Sequence, residues 1–178
     1  MFMSGLYVQK GVGLMEVLVA LVILAIGVLG FSALQLKGME AAQEANEQAI
    51  AVNFARDLAE RMRVNRSALS QYATFINTIE EGYRGCTSTN SIINGSEQIQ
   101  IPNCNSENMA KHDVGEIIAR AKDLGQTIIV RGCVKSNLSC IYVAWGNTSI
   151  TSTDVSACIN ETTGTYRSDA QCLVLEAY

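Results

Sequence analysis

Few side chains in this sequence are suited to catalysis. The single histidine, His112, stands next to Asp113, and no GxSxG, HExxH, P-loop or GxGxxG motif occurs. A lone histidine on a helix is usually a surface residue. We therefore expect no enzyme activity, no catalytic residue and no cofactor.

The cysteines are the second group of chemically capable side chains. All six follow residue 85, and no CxxC, CxH or HxxxH spacing occurs among them. We therefore expect no metal site, but a disulfide framework formed in an oxidising compartment, outside the cytoplasm. The cysteines are Cys86, Cys104, Cys133, Cys140, Cys158 and Cys172.

One carboxylate, Glu16, stands at the edge of a long apolar segment. Residues 17–36 carry no charge, and at ~1.5 Å per residue they form a helix of roughly 30 Å, the thickness of a bilayer's hydrocarbon core. Buried core helices rarely run so far without a polar face, and secretory signal peptides are shorter and end in a small-x-small cleavage site. We therefore predict a membrane helix that the mature protein keeps. The charge alone leaves open whether Glu16 is functional or snorkels to headgroups near the helix N-terminus.

Net charge gives little information about partners or orientation. The value of −4 at pH 7 provides no overall basic surface, so direct nucleic-acid binding is not expected. Lys10 precedes the apolar segment and Lys37 follows it, which makes the positive-inside count a tie. The cysteines decide the orientation, because they place the C-terminal part outside the cytoplasm.

The N-terminal spacing is more specific than any single residue. Lys10 and Gly11 precede Val12, Glu16 is the fifth residue after Gly11, and an unbroken apolar helix follows. This pattern closely resembles the class III leader of type IV prepilins and pseudopilins. Three features depart from the family pattern: Val12 replaces the usual Phe, and the leader has one basic residue and is more apolar than usual. The third is that major pilins usually have a proline within the helix, whereas the only proline here is Pro102.

The resemblance implies processing and assembly steps. A prepilin peptidase would cut after Gly11 and methylate the new N-terminus at Val12. In a filament, Glu16 of one subunit would pair with the N-terminal amine of a neighbour, and the orphaned carboxylate would cost several kcal/mol in low dielectric.

The helix is predicted to continue beyond the membrane. Apolar residues recur every four positions from Ile50 to Met62, which predicts one helix from about Val12 to about Asn65. Arg61, Arg63 and Arg66 are interpreted as a solvated helix end rather than a contact patch. The segment DLAERMRVN is similar to the one that ends this helix in the PilV branch of minor pilins.

The rest of the chain predicts a small α+β domain. Residues 67–104 are expected to be irregular apart from a short strand at 98–101, and a second helix is expected from about Asn108 to Leu124, capped by Ser106 or Asn105. Three strands should follow, at 127–134, 140–145 and 172–178. Six cysteines allow fifteen pairings, and we favour the three local loops Cys86–Cys104, Cys133–Cys140 and Cys158–Cys172.

These observations combine into one architecture. The predicted fold is α+β and type IV pilin-like, with a long N-terminal helix packed on a small antiparallel sheet with disulfide-stapled loops. The predicted segments are the leader (1–11), the transmembrane or filament-core helix (12–36), its amphipathic continuation (37–66) and a periplasmic globular domain (67–178).

The resemblance predicts a bacterial minor pilin. Such a subunit is anchored in the inner membrane with its domain in the periplasm, then moves into a surface pilus that serves assembly, twitching motility, adhesion or DNA uptake. Its partners would be the prepilin peptidase, other minor pilins, the major pilin and inner-membrane lipid. The alternatives are a minor pseudopilin of type II secretion and a signal-anchored periplasmic binding module.

Overall fold

The computed structural model describes residues 13–78, 86, 89–93, 96–100 and 104–177. The chain divides into two compact units, with the boundary after Ala45. In the described residues, the first unit is one helix and the second is an α+β domain. The predicted fold class is therefore confirmed. The predicted leader, residues 1–11, and Val12 lie outside the described residues.

Helix α1 runs Leu14–Val64. This agrees with the predicted helix from about Val12 to about Asn65 over the residues that the structure describes. In the first unit all of its residues are exposed. In the second unit it buries a stripe of residues three and four apart, which is the spacing of one helix face. The buried residues of this stripe are Ala51, Phe54, Ala55, Leu58 and Met62.

A short helix that the sequence analysis did not predict follows α1. A single 3-10 turn, Arg66–Ala68, leads into helix α2, Leu69–Ile76, in a region expected to be irregular. Tyr72 is completely buried and Ile76 is 6% exposed. A helix this short is marginal alone, so its stability comes from tertiary packing that composition does not report.

A small hairpin lies between α2 and the next helix. Strand β1, Thr89–Ile93, pairs antiparallel with strand β2, Ser96–Gln100. The sequence predicts one strand here, at 98–101, so β2 starts earlier than expected and β1 was missed; Ile101 lies outside the described residues.

Helix α3, Ser106–Asp123, agrees with the predicted second helix. Asn105, one of the two proposed caps, accepts a hydrogen bond from the Asn108 backbone N–H at 2.8 Å. Gly125, just beyond the helix, has a φ of +69°, a left-handed conformation that glycine adopts without strain and that ends the helix.

A three-stranded antiparallel sheet completes the domain. Strands β3, Thr127–Gly132, β4, Ser139–Ala144, and β5, Cys172–Glu176, lie in the order β3-β4-β5. The predicted strands are right in number and position, with ends that differ by one or two residues; Tyr178 lies outside the described residues.

The sheet has one apolar core on each face, because side chains alternate along a strand. Ile128, Val130, Ile141 and Val143 pack with the buried stripe of α1 and with α2 and α3. Ile129, Tyr142 and Ala144 face the other side, where Val155 and Ile159 from the long β4–β5 connection cover them. Among the residues that the structure describes, no helix contributes to the second core.

Three disulfides join Cys86 to Cys104, Cys133 to Cys140, and Cys158 to Cys172. This is the pairing favoured from the sequence, one local loop per bond. Cys133–Cys140 links β4 to the residue after β3, and Cys158–Cys172 fixes the long connection to the start of β5. The second core is therefore bordered by two covalent links.

Candidate functional site

The N-terminal residues that the sequence analysis singles out are only partly described. Glu16 lies in the first turn of α1 and is exposed, with its backbone N–H donating to the Gly13 carbonyl oxygen at 2.9 Å. Gly11 and Val12 lie outside the described residues. Cleavage after Gly11, methylation of Val12 and the pairing of Glu16 therefore stay predictions.

The first unit exposes an apolar surface on all sides of its helix. Leu29 and Leu34 are 71% and 73% exposed. In the described part of the chain, α1 is the one helix that is long and apolar enough to cross a membrane. Water is an unfavourable solvent for an apolar surface of this extent.

In the second unit, a charged cluster fixes the end of α1 to the other two helices. Arg61 donates from Nε to Asp57 Oδ1 at 2.8 Å and from Nη1 to Asp113 Oδ1 at 2.7 Å, and Nη1 lies 2.9 Å from Glu116 Oε2. Only a quarter of the Arg61 side chain is exposed (25%). We refer to Arg61, Asp57, Asp113, Glu116, Tyr72 and Arg120 as the Arg61 cluster.

Asp113 connects all three helices through this cluster. Its Oδ1 accepts from Arg61 of α1, and its Oδ2 accepts from the Tyr72 hydroxyl of α2 at 2.6 Å. Burial raises the pKa of Tyr72, and the hydrogen bond to Asp113 raises it further. The hydroxyl therefore keeps its proton and remains a donor at neutral pH.

Asp57 is held between two cations, one from α1 and one from α3. Arg120 Nη2 lies 2.8 Å from its Oδ2, while Arg61 binds its Oδ1. Burial raises the pKa of Asp57, but the hydrogen bonds and charges of Arg61 and Arg120 outweigh burial and bring that pKa below its ordinary value. The carboxylate is thus stabilised in its ionised form.

The interpretation of Arg61 as part of a solvated helix end is wrong. Arg63, two residues later, does pair at the surface, with Glu60 at 2.6 Å. The i,i+4 spacing of Asp57 and Arg61 is visible in the sequence, whereas the contacts of Asp113 with Arg61 and Tyr72 join residues 52 and 41 positions apart. His112 is half-buried, not on the surface as expected, and its neighbour Asp113 binds Arg61 and Tyr72 instead.

One group of side chains has the proximity of a metal site but not its chemistry. The ligand atoms of Cys133, Cys140 and Glu176 lie within 4.8 Å of one another. The two sulfur atoms are bonded to each other, so neither is available as the thiolate that a metal binds.

Arg61→Met removes the guanidinium and keeps much of the apolar stem. We expect the free energy of unfolding to fall by about 2 kcal/mol, less than for a fully buried pair because part of Arg61 is in water. Urea unfolding of the full chain in detergent micelles, followed by Trp145 fluorescence, measures this. Arg63→Met is the matched control and should cost about 0.5 kcal/mol or less; equal losses would contradict the proposed anchoring role.

Asp57 makes part of the stability depend on pH. Because its pKa is lowered on folding, its contribution is fully present above the ordinary value of 3.8 and is lost as pH falls through the lower folded-state value. The stability difference between wild type and Asp57→Asn should therefore shrink as pH is lowered from about 6 to about 2. In an Arg61→Met background the shrinkage should be smaller. A difference that grows on acidification would rule out this assignment.

Two protein-family models match this chain. A model described as a prokaryotic N-terminal methylation motif matches residues 7–32, and a model described as type IV pilin Tt1218 matches residues 33–115. No curated protein and no solved structure matches the chain. The type IV pilin is a structural subunit and not an enzyme. The two matches, with the long exposed helix and the disulfide-stapled α+β domain, support a type IV pilin-like subunit.

Proposed function

We propose that the chain is a minor pilin of a bacterial type IV pilus. The observation that carries the proposal is the coincidence of the methylation motif at residues 7–32 with an apolar helix exposed on every side. A helix of this kind serves first in lipid and then among the helices of neighbouring subunits.

The proposed processing begins at Gly11. Cleavage by the prepilin peptidase after this residue would leave Val12 as the mature N-terminus, which the same enzyme would methylate. Gly11 has no Cβ, and a peptidase can therefore approach its backbone closely. The cut frees an amine a few residues from Glu16, and N-methylation keeps the positive charge of that amine.

Glu16 is proposed to set the register of assembly. An isolated carboxylate among apolar helices is costly, whereas a carboxylate paired with an amine is much less so. A neighbouring subunit's Val12 amine supplies that charge only when the two helices lie at one axial offset. The same pairing would draw the subunit out of lipid and into the filament.

The finer assignment is to the PilV branch of minor pilins, in the inner membrane with the domain in the periplasm until assembly. It rests on the ERMRVN segment at the end of α1 and on three disulfides, which suit an oxidising compartment. The proposed partners are the prepilin peptidase, other minor pilins, the major pilin and membrane lipid. Recovery of the chain with secretion components instead of pilins would favour a type II pseudopilin.

Mass spectrometry of the mature protein, purified from cells with their native peptidase, tests the processing step. We expect a chain that begins at Val12 and carries one N-terminal methyl group. Gly11→Leu should block both changes, whereas Gly13→Ala should not, because Gly13 does not flank the cleaved bond and an added Cβ meets no atom within 4 Å in the chain itself. A wild-type protein that still begins at Met1 would contradict the proposal.

Glu16→Ala tests the assembly step. The amount of this subunit in sheared pili should fall at least about tenfold because the pairing charge is lost, while the amount in the membrane fraction stays unchanged. Glu40→Ala is the matched control, an exposed carboxylate on the same helix that pairs with Lys37 at 2.7 Å. Normal incorporation of Glu16→Ala would contradict the proposed role of Glu16, whereas absence of the wild-type chain from sheared pili would favour a signal-anchored binding module.

A further inference from the structure

A small cavity lies on the helix-free side of the three-stranded sheet. Its volume is about 200 Å³, room for roughly six or seven water molecules at ~30 Å³ each, or for one small organic molecule. We call it the hairpin-end cavity, because it borders the Cys133–Cys140 disulfide. It is lined by Cys133, Val134, Lys135, Cys140, Tyr142, Ile159, Gly164, Tyr166, Val174 and Glu176.

The wall of the cavity is mainly apolar. Val134, Ile159 and Val174 contribute aliphatic side chains, and the disulfide adds two sulfur atoms without charge. These residues belong to the second core or pack against it. The cavity wall therefore has an aliphatic surface on which one aliphatic side chain of a ligand can pack.

Two opposite charges line the same cavity. Lys135 and Glu176 are both exposed, and among the described residues neither forms an ion pair. The Ser136 hydroxyl donates to Glu176 Oε1 at 3.3 Å, which leaves Oε2 available as an acceptor. The stem of Lys135 lies against Gly164, where a Cβ would come within 3.1 Å of its Cγ.

A phenol adds an unused hydrogen-bonding group. Tyr142 is completely buried, and its hydroxyl has no partner among the described residues, a state that costs free energy. Burial raises the pKa of this hydroxyl, which stays protonated at neutral pH. The hydroxyl of Tyr166 accepts from the Val174 backbone N–H at 2.9 Å, so its own proton is free to be donated.

The charge pattern selects the kind of ligand. A simple anion would be attracted by Lys135 but repelled by Glu176. A simple cation would be attracted by Glu176 but repelled by Lys135. A zwitterion can place each of its charges beside the opposite charge on the rim. An aliphatic group between the two would cover the apolar wall.

We propose that the hairpin-end cavity binds a free α-amino acid with an aliphatic side chain, such as leucine. Lys135 binds the carboxylate, Glu176 binds the ammonium, and the side chain packs on Val134, Ile159 and Val174. This site does not depend on the proposed pilus function.

Calorimetric titration of the full chain in lipid nanodiscs tests the proposal. L-leucine should bind, and three analogues should bind at least about tenfold more weakly, since each lacks one matched interaction. These are 4-methylpentanoate, without the ammonium, 3-methylbutylamine, without the carboxylate, and glycine, without the side chain. Equal binding of leucine and glycine, or no binding of leucine, would overturn the proposal.

Two variants then test which residue binds which charge. Lys135→Gln should weaken leucine binding about tenfold and strengthen 3-methylbutylamine binding, because a repelling like charge is removed. Glu176→Gln should weaken leucine binding and strengthen 4-methylpentanoate binding for the same reason. Arg66→Gln, an exposed cation that does not line the cavity, is the control and should bind leucine normally. Leucine binding that neither variant changes would place the ligand elsewhere.

Discussion

The second unit depends on the desolvation of one guanidinium. Arg61 stands on a helix face whose neighbours, Leu58 and Met62, are buried, so packing α1 against the domain takes its charge partly out of water. That step is unfavourable unless the hydrogen-bonding positions of the guanidinium are filled. Asp57 comes from the same helix, but Asp113 and Glu116 come from α3. The charge is therefore satisfied only when the helices are correctly docked.

The Arg61 cluster also determines where along its axis α1 packs against the domain. Apolar packing between α1 and the sheet is tolerant of small shifts, because dispersion contacts have little directionality. The bonds from Arg61 and Tyr72 to the two oxygens of Asp113 have defined lengths and angles. They fix the axial position of the C-terminal part of α1 within the second unit.

Local patterns were enough to predict much of this structure. The long apolar run and the four-residue repeat of apolar residues predicted α1, and short apolar runs predicted the sheet strands. Closure of local loops indicated the disulfides. Helix α2 escaped detection because its eight residues (Leu69–Ile76) are too few for a strong periodic signal, although Leu69, Tyr72 and Ile76 have helical spacing. The contacts of Arg61 with Asp113, 52 residues away, depend on tertiary structure and have no local signature.

The two faces of the sheet are stabilised differently. Three helices cover one face, where their side chains pack with those of the strands and a cavity of about 540 Å³ remains beside α2, α3 and β3. An irregular connection covers the other face, and such a chain segment cannot present evenly spaced side chains over the whole surface. Disulfides at Cys133–Cys140 and Cys158–Cys172 hold that cover in place. Packing is therefore incomplete beside the Cys133–Cys140 disulfide, and the disulfide keeps the surrounding chain in place around the small cavity.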